Sequence, residues 1–139
     1  MTIRGEALAA GQALPRLTKG PVTRQMLVEW CAAENDYYHL HYDDRVAKKM
    51  NLPGPPIQGT FRFALLGQMI SRWAGSGSVI ERIGVCYRGL DLEGDTISAC
   101  GTIERIEQLD DRTRIGLKLW VENQKGERST EGDATVLLR

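Results

Sequence analysis

The chain has 139 residues, 42% apolar and 26% charged, which is ordinary for a folded globular protein and enough for one hydrophobic core. Eighteen Lys and Arg balance eighteen Asp and Glu, and no basic block stands clear of acidic neighbours, which argues against nucleic-acid binding. No run of about 18 apolar residues exists, so no membrane span is expected, and the length predicts one domain over residues 1–139.

The opening Met1-Thr-Ile-Arg-Gly-Glu6 has no apolar stretch and no cleavage pattern, so the expected location is the cytoplasm. A weak strand signal lies near Ala13–Val22. Thr23 then stands as N-cap to a helix from Arg24 to about Ala33, with Met26, Leu27, Trp30 and Cys31 at helical spacing. A short helix is predicted from Asp43 or Asp44 to Met50, and Asn51-Leu-Pro-Gly-Pro-Pro56 stops it. From Gly59 to Trp73 the apolar positions cover most of the circumference: Phe61, Ala64, Leu65, Met69 and Trp73 on one face, Phe63, Leu66 and Ile70 beside it. Such a helix is mostly buried.

Four strands follow, near Val79–Arg88, Thr96–Gln108, Arg112–Asn123 and Arg128–Leu138, with Gly94-Asp95, Asp110-Asp111 and Lys125-Gly126 as turns. In the third, Thr113, Ile115, Leu117, Leu119 and Val121 alternate with charged residues, which predicts one buried face. Short turns predict antiparallel neighbours in a meander. The result is an α+β fold, an antiparallel sheet wrapped around one long buried helix. Cys31, Cys86 and Cys100 are widely spaced in apolar surroundings and read as buried thiols, with no disulfide or zinc pattern.

The densest chemistry lies in Glu34-Asn-Asp-Tyr-Tyr-His-Leu-His-Tyr-Asp-Asp44. Asp36 and His41 sit five residues apart on one loop. A carboxylate raised by a partly dry cleft and an imidazole titrating near neutrality can hold one water between them for acid–base work. The competing structural reading has Asp36 capping the turn and His41 packing on Tyr42 or Tyr37. His39, His41 and Asp43 would share a side on an extended backbone, a spacing that suits a metal, but no further histidine exists, and no metal is assigned. Gln58-Gly59-Thr60 opens the buried helix, where free amides can hold an oxyanion; the alternative is a plain loop-to-helix junction. Arg45, Lys48, Lys49, Arg62, Arg72, Arg82 and Arg88 read by default as a solvated face, with some able to meet phosphates of a nucleotide-bearing ligand.

These motifs together resemble the MaoC-like dehydratases, the hot-dog-fold group that includes R-specific enoyl-CoA hydratases. Asp36, Leu40, His41 and Asp43 fit its Asp-to-His segment, with Tyr38 and His39 where Asn and Pro are usual. Ala47, Pro56-Ile57 and Gly59 fit the following stretch, with Gln58 where His is often found. Leu92-Glu-Gly-Asp-Thr96, Val121-Glu-Asn-Gln-Lys-Gly-Glu127 and Gly132-Asp-Ala-Thr-Val136 are similar to later strand segments, so the resemblance spans about residues 20 to 138.

The resemblance implies a hot-dog fold and reversible hydration of a trans-2-enoyl thioester to an (R)-3-hydroxyacyl thioester. It implies that Asp36 and His41 hold the water and that the Gly59 amide meets the thioester oxygen, with Tyr38, Gln58 and Thr60 as substrate-binding neighbours. No cofactor is implied beyond coenzyme A or acyl carrier protein as the substrate's carrier. A homodimer or larger homo-oligomer is expected, with a heteromer of related subunits as the variant arrangement. Two other activities stay open: a non-catalytic acyl-CoA-binding subunit and a hot-dog acyl-CoA thioesterase.

Overall fold

A computed structural model describes residues 7–139; the reading of the first six residues lies outside it. The elements run β1 (Leu17–Lys19), α1 (Arg24–Glu34), a 3-10 turn (His39–His41), α2 (Asp44–Lys49), α3 (Gly59–Ala74), β2 (Val79–Tyr87), β3 (Ile97–Gln108), β4 (Thr113–Glu122) and β5 (Arg128–Leu138). One five-stranded antiparallel sheet forms, in the order β1-β3-β4-β5-β2. Its concave side holds α3, giving the hot-dog arrangement.

The alternation in β4 does what its period dictates. Ile115, Leu117, Leu119 and Val121 are buried against α3, and Ala134, Val136 and Leu138 of β5 continue the surface. Phe61, Leu65, Leu66, Met69, Ile70 and Trp73 face them from the helix. Each fully buried Leu or Ile side chain contributes about 1.5–3 kcal/mol through burial. The helix lies close to the sheet at Gly101, where an added Cβ would stand 3.3 Å from Met69 Cε and 3.1 Å from Leu119 Cδ2.

Three expectations need correction. The strands do not form a simple meander: β2 pairs with β5, and β3 lies between β1 and β4. The connection from β2 to β3, residues 88–96, therefore crosses the end of the barrel-like curl instead of making a hairpin. Its middle is pinned to the Pro-rich loop, because Ile57 N donates to Asp91 O at 2.8 Å, Glu93 N donates to Pro55 O at 2.9 Å, and Pro56 bridges Leu92. Second, Cys86 is exposed on β2, while Cys31 and Cys100 are buried. The neighbouring Val85 packs against the core, so Cys86 faces the other side of the sheet, away from α3. Third, Arg62 is buried, at 3% exposure, and does not belong to the solvated face. The early strand is present as β1, extended by a bridge between Ala13 and Thr102.

Candidate functional site

Around the start of α3 the structure gathers His41, Gln58, Thr60 and Tyr87. Thr23 caps α1 as expected, its hydroxyl accepting from Met26 N at 3.2 Å. Asn35 ends the helix in a left-handed conformation, φ 54°. Asp36 N then donates to Cys31 O at 3.0 Å, closing the end of α1. The 3-10 turn follows, and Asp43 caps α2 by accepting from Arg45 N at 2.9 Å.

His41 is half-buried and fixed from two sides. Its Nδ1 lies 2.8 Å from Pro56 O, and Tyr38 meets the ring edge-to-face at 5.8 Å between centroids. A carbonyl oxygen can only accept, so Nδ1 carries the hydrogen. Nε2 is left with a free lone pair in the neutral ring, the form a general base needs. Pro56 stands two residues before Gln58, so this bond also ties His41 to the mouth of α3.

Asp36 is exposed, so the partly dry cleft expected around it is not formed by this chain alone. The expected aromatic contacts of the loop are redistributed: His41 packs on Tyr38, His39 packs on Tyr42, and the Tyr42 hydroxyl donates to Tyr37 O at 2.9 Å. The extended backbone on which His39, His41 and Asp43 would share one side is not adopted. His39 and His41 lie in the 3-10 turn, and Asp43 is engaged by Arg45 at 3.0 Å. Those hydrogen bonds from Arg45 hold the Asp43 carboxyl down at about 2.

Gln58 is buried at 2% exposure. Its amide nitrogen donates to Leu27 O at 2.9 Å and to Cys31 Sγ at 3.2 Å, so it locks α1 to α3; its Oε1 has no partner among the described residues. Thr60 accepts from Trp30 Nε1 at 3.0 Å and donates to Glu34 Oε2 at 2.7 Å. A carboxylate therefore already stands beside the positive end of α3. Tyr38 is exposed, its hydroxyl 3.9 Å from Met50 Sδ.

Gly59 is required by its neighbour. A Cβ there would lie 2.8 Å from Tyr87 Cζ and 3.0 and 3.1 Å from the two adjoining ring carbons. A Cβ that close would require the Tyr87 ring or the helix to shift, so glycine here is what lets the ring lie against the start of α3.

Sequence reading missed Tyr87 and the charged pair beneath it. Arg62 Cζ lies 5.1 Å from the Tyr87 ring centroid. Its Nη1 donates to Gly89 O at 2.9 Å and faces Asp91 Oδ2 at 3.6 Å. Asp91 is 1% exposed and accepts from the Ser129 hydroxyl. Burial drives both groups toward their neutral forms, lowering Arg62 and raising Asp91, while each opposes the shift in the other. Arg62 Nε and Asp91 Oδ1 have no partner among the described residues. The signal for Arg62 was its place one turn after Gln58 on an all-round apolar helix, where a solvated side chain has nowhere to go.

Comparison with known proteins bears on the family and the fold. The family model described as MaoC like domain matches residues 7–134. Among solved structures, an (R)-hydratase from A. caviae involved in PHA biosynthesis superposes with a TM-score of 0.84 at 22% identity, covering 97% of this chain and 100% of that one. The R-hydratase PhaJ1 from Pseudomonas aeruginosa gives 0.81 at 21%, covering 93% and 81%. The ChsH1-ChsH2 complex from Mycobacterium tuberculosis gives 0.83 at 19%, covering 94% and 98%. No curated protein matches by sequence. At these identities the structural likeness establishes the fold, and the family match over nearly the whole length establishes the lineage: the chain belongs to the MaoC-like domain family.

Proposed function

We propose that this protein is a hydratase or dehydratase acting on trans-2-enoyl thioesters of coenzyme A or acyl carrier protein, interconverting them with (R)-3-hydroxyacyl thioesters. The observation that carries the reading is the His41 bond to Pro56 O, which fixes the imidazole beside the start of α3 with Nε2 free. Asp36 and His41 bind the water between them. One removes its proton as oxygen attacks the β-carbon, and the other supplies a proton to the α-carbon. Charge passing to the thioester oxygen is met by the Gly59 amide, with Tyr38 and Thr60 lining the approach, while buried Gln58 acts from behind by holding α1 to α3.

The exposed Asp36 and the unpaired edge of β2, with Val79, Tyr87 and nearby Leu90 exposed, support an assembly in which a second protomer walls the cleft. A homo-oligomer is the first choice. The relatives solved as ChsH1-ChsH2 and HadBC complexes support a heteromer as the second, in which this chain is an acyl-binding subunit.

The test is loss of enoyl-thioester absorbance when purified protein meets crotonyl-CoA and longer enoyl-CoAs. Asp36→Asn and His41→Gln should each lower kcat by about 10²–10⁴. Hydration that survives both substitutions removes the site. Turnover that appears only with a co-purified related subunit, and is indifferent to Asp36→Asn, favours the acyl-binding reading.

A further inference from the structure

We infer that the phenolic hydroxyl of Tyr87 is a second hydrogen-bond donor to the thioester oxygen, acting beside the Gly59 amide. The inference rests on the reading above and adds a catalytic residue to it.

The geometry begins with the three distances from a Cβ built on Gly59: 2.8 Å to Cζ, 3.0 Å to Cε2 and 3.1 Å to Cε1. Near-equal values with Cζ shortest put the point above the ring's face at Cζ, the carbon that carries the hydroxyl. The far end of the ring, not its edge or its root, therefore lies against Gly59. Adding the C–O bond leaves the hydroxyl no more than about 6 Å from Gly59 Cα, the atom next to the amide that opens α3.

The ring is held there. It is the last residue of β2, paired with Thr130 of β5, and Arg62 packs under it at 5.1 Å. Arg62 is in turn fixed by Gly89 O and Asp91. Tyr87 is exposed and its hydroxyl has no hydrogen-bond partner among the described residues, so it is free to meet a ligand.

The charges around it suit a donor. Burial is the main influence raising the phenol's pKa, Glu34 adds to it and Arg62 opposes it, so Tyr87 stays protonated at neutral pH. It gives a hydrogen bond and keeps its proton throughout; the proton for the α-carbon still comes from Asp36 or His41. The nearby Arg62 guanidinium further favours negative charge on the oxygen, whereas the Glu34 carboxylate beside Thr60 disfavours it, which makes a second neutral donor useful at this mouth.

Two measurements on the full chain test the assignment: steady-state hydration of crotonyl-CoA, and the carbonyl resonance of bound butyryl-CoA labelled with 13C at the thioester carbon, a saturated compound that cannot be hydrated. Tyr87→Phe keeps the ring on Gly59 and over Arg62. It should lower kcat by about 100-fold with KM nearly unchanged, as loss of one oxyanion donor does. It should also remove a large part of the downfield shift that the carbonyl shows on binding. Wild-type turnover with kcat and carbonyl shift unaltered in Tyr87→Phe overturns the inference and leaves the hydratase reading intact. A rise in KM alone also overturns it, because that marks a packing wall. A chain without turnover whose bound carbonyl still shifts in a Tyr87-dependent way upholds the donor and removes the reaction. Neither turnover nor a shift removes both.

Discussion

Replacing Gly59 by Ala is the sharpest probe of the α3 mouth. In isolation the change favours the helix by up to about 1 kcal/mol, since glycine is the poorer helix former. Here the new methyl would stand 2.8 Å from Tyr87 Cζ, well inside contact distance. Either the ring swings out, losing its stacking on Arg62, or α3 shifts against the sheet. Overpacking of this kind costs about 1–3 kcal/mol. The net expectation is a loss of about 1 kcal/mol, or about 3 °C in Tm for a chain of this size. The assay is urea and thermal unfolding of four proteins at one concentration: wild type, Gly59→Ala, Tyr87→Ala and the double variant. With the ring gone the methyl has room, so Gly59→Ala should be neutral or slightly stabilising in the Tyr87→Ala background. The coupling between the sites should be about 1–2 kcal/mol. Equal effects of Gly59→Ala in both backgrounds would refute the argument that Tyr87 is why glycine stands there.

The buried pair gives a second prediction. Asp91→Val alone strands Arg62 without its carboxylate and should cost about 3–5 kcal/mol in urea unfolding. Asp91→Val with Arg62→Met should recover most of that loss, because a buried pair adds little over apolar replacements. Asp91 also gives a pH dependence. Its folded pKa is raised from 3.8, so the folded chain holds this proton more tightly than the unfolded chain. That contribution is present below pH 3.8 and is lost as pH rises through the higher folded value, and Asp91→Asn should flatten this part of the stability curve. Asp43 runs the opposite way. Its pKa falls from 3.8 to about 2, so its contribution is present above pH 3.8 and is lost as pH falls through about 2. Asp43→Asn, which keeps a capping oxygen, should show a shallower loss of stability over that window; a slope equal to wild type would remove Arg45 from the account.

Local pattern carried a large part of this protein into view. The helical spacing of Phe61, Leu65, Met69 and Trp73, the period-two run from Thr113 to Val121 and the Thr23 cap each depend on neighbours a few residues away, and each element formed within a residue or two of its expected bounds. The segment from Asp36 to Asp43 was legible as a cluster of chemistry-bearing residue types, but its 3-10 turn and the exposure of Asp36 were not. Tertiary structure alone decided which strands became neighbours. Alternation marks the buried face of a strand and is silent about its partner, so the placement of β2 beside β5 had no local signal. The same holds for contacts made across the chain. Arg62 is buried because residues 89, 91 and 129 arrive around it, and Gly59 meets Tyr87 across 28 residues of sequence. Cys86 is exposed because it follows Val85 on the opposite face of β2, away from the core. Spacing along a chain encodes the shape of one element at a time; who stands opposite is fixed only when the whole core closes.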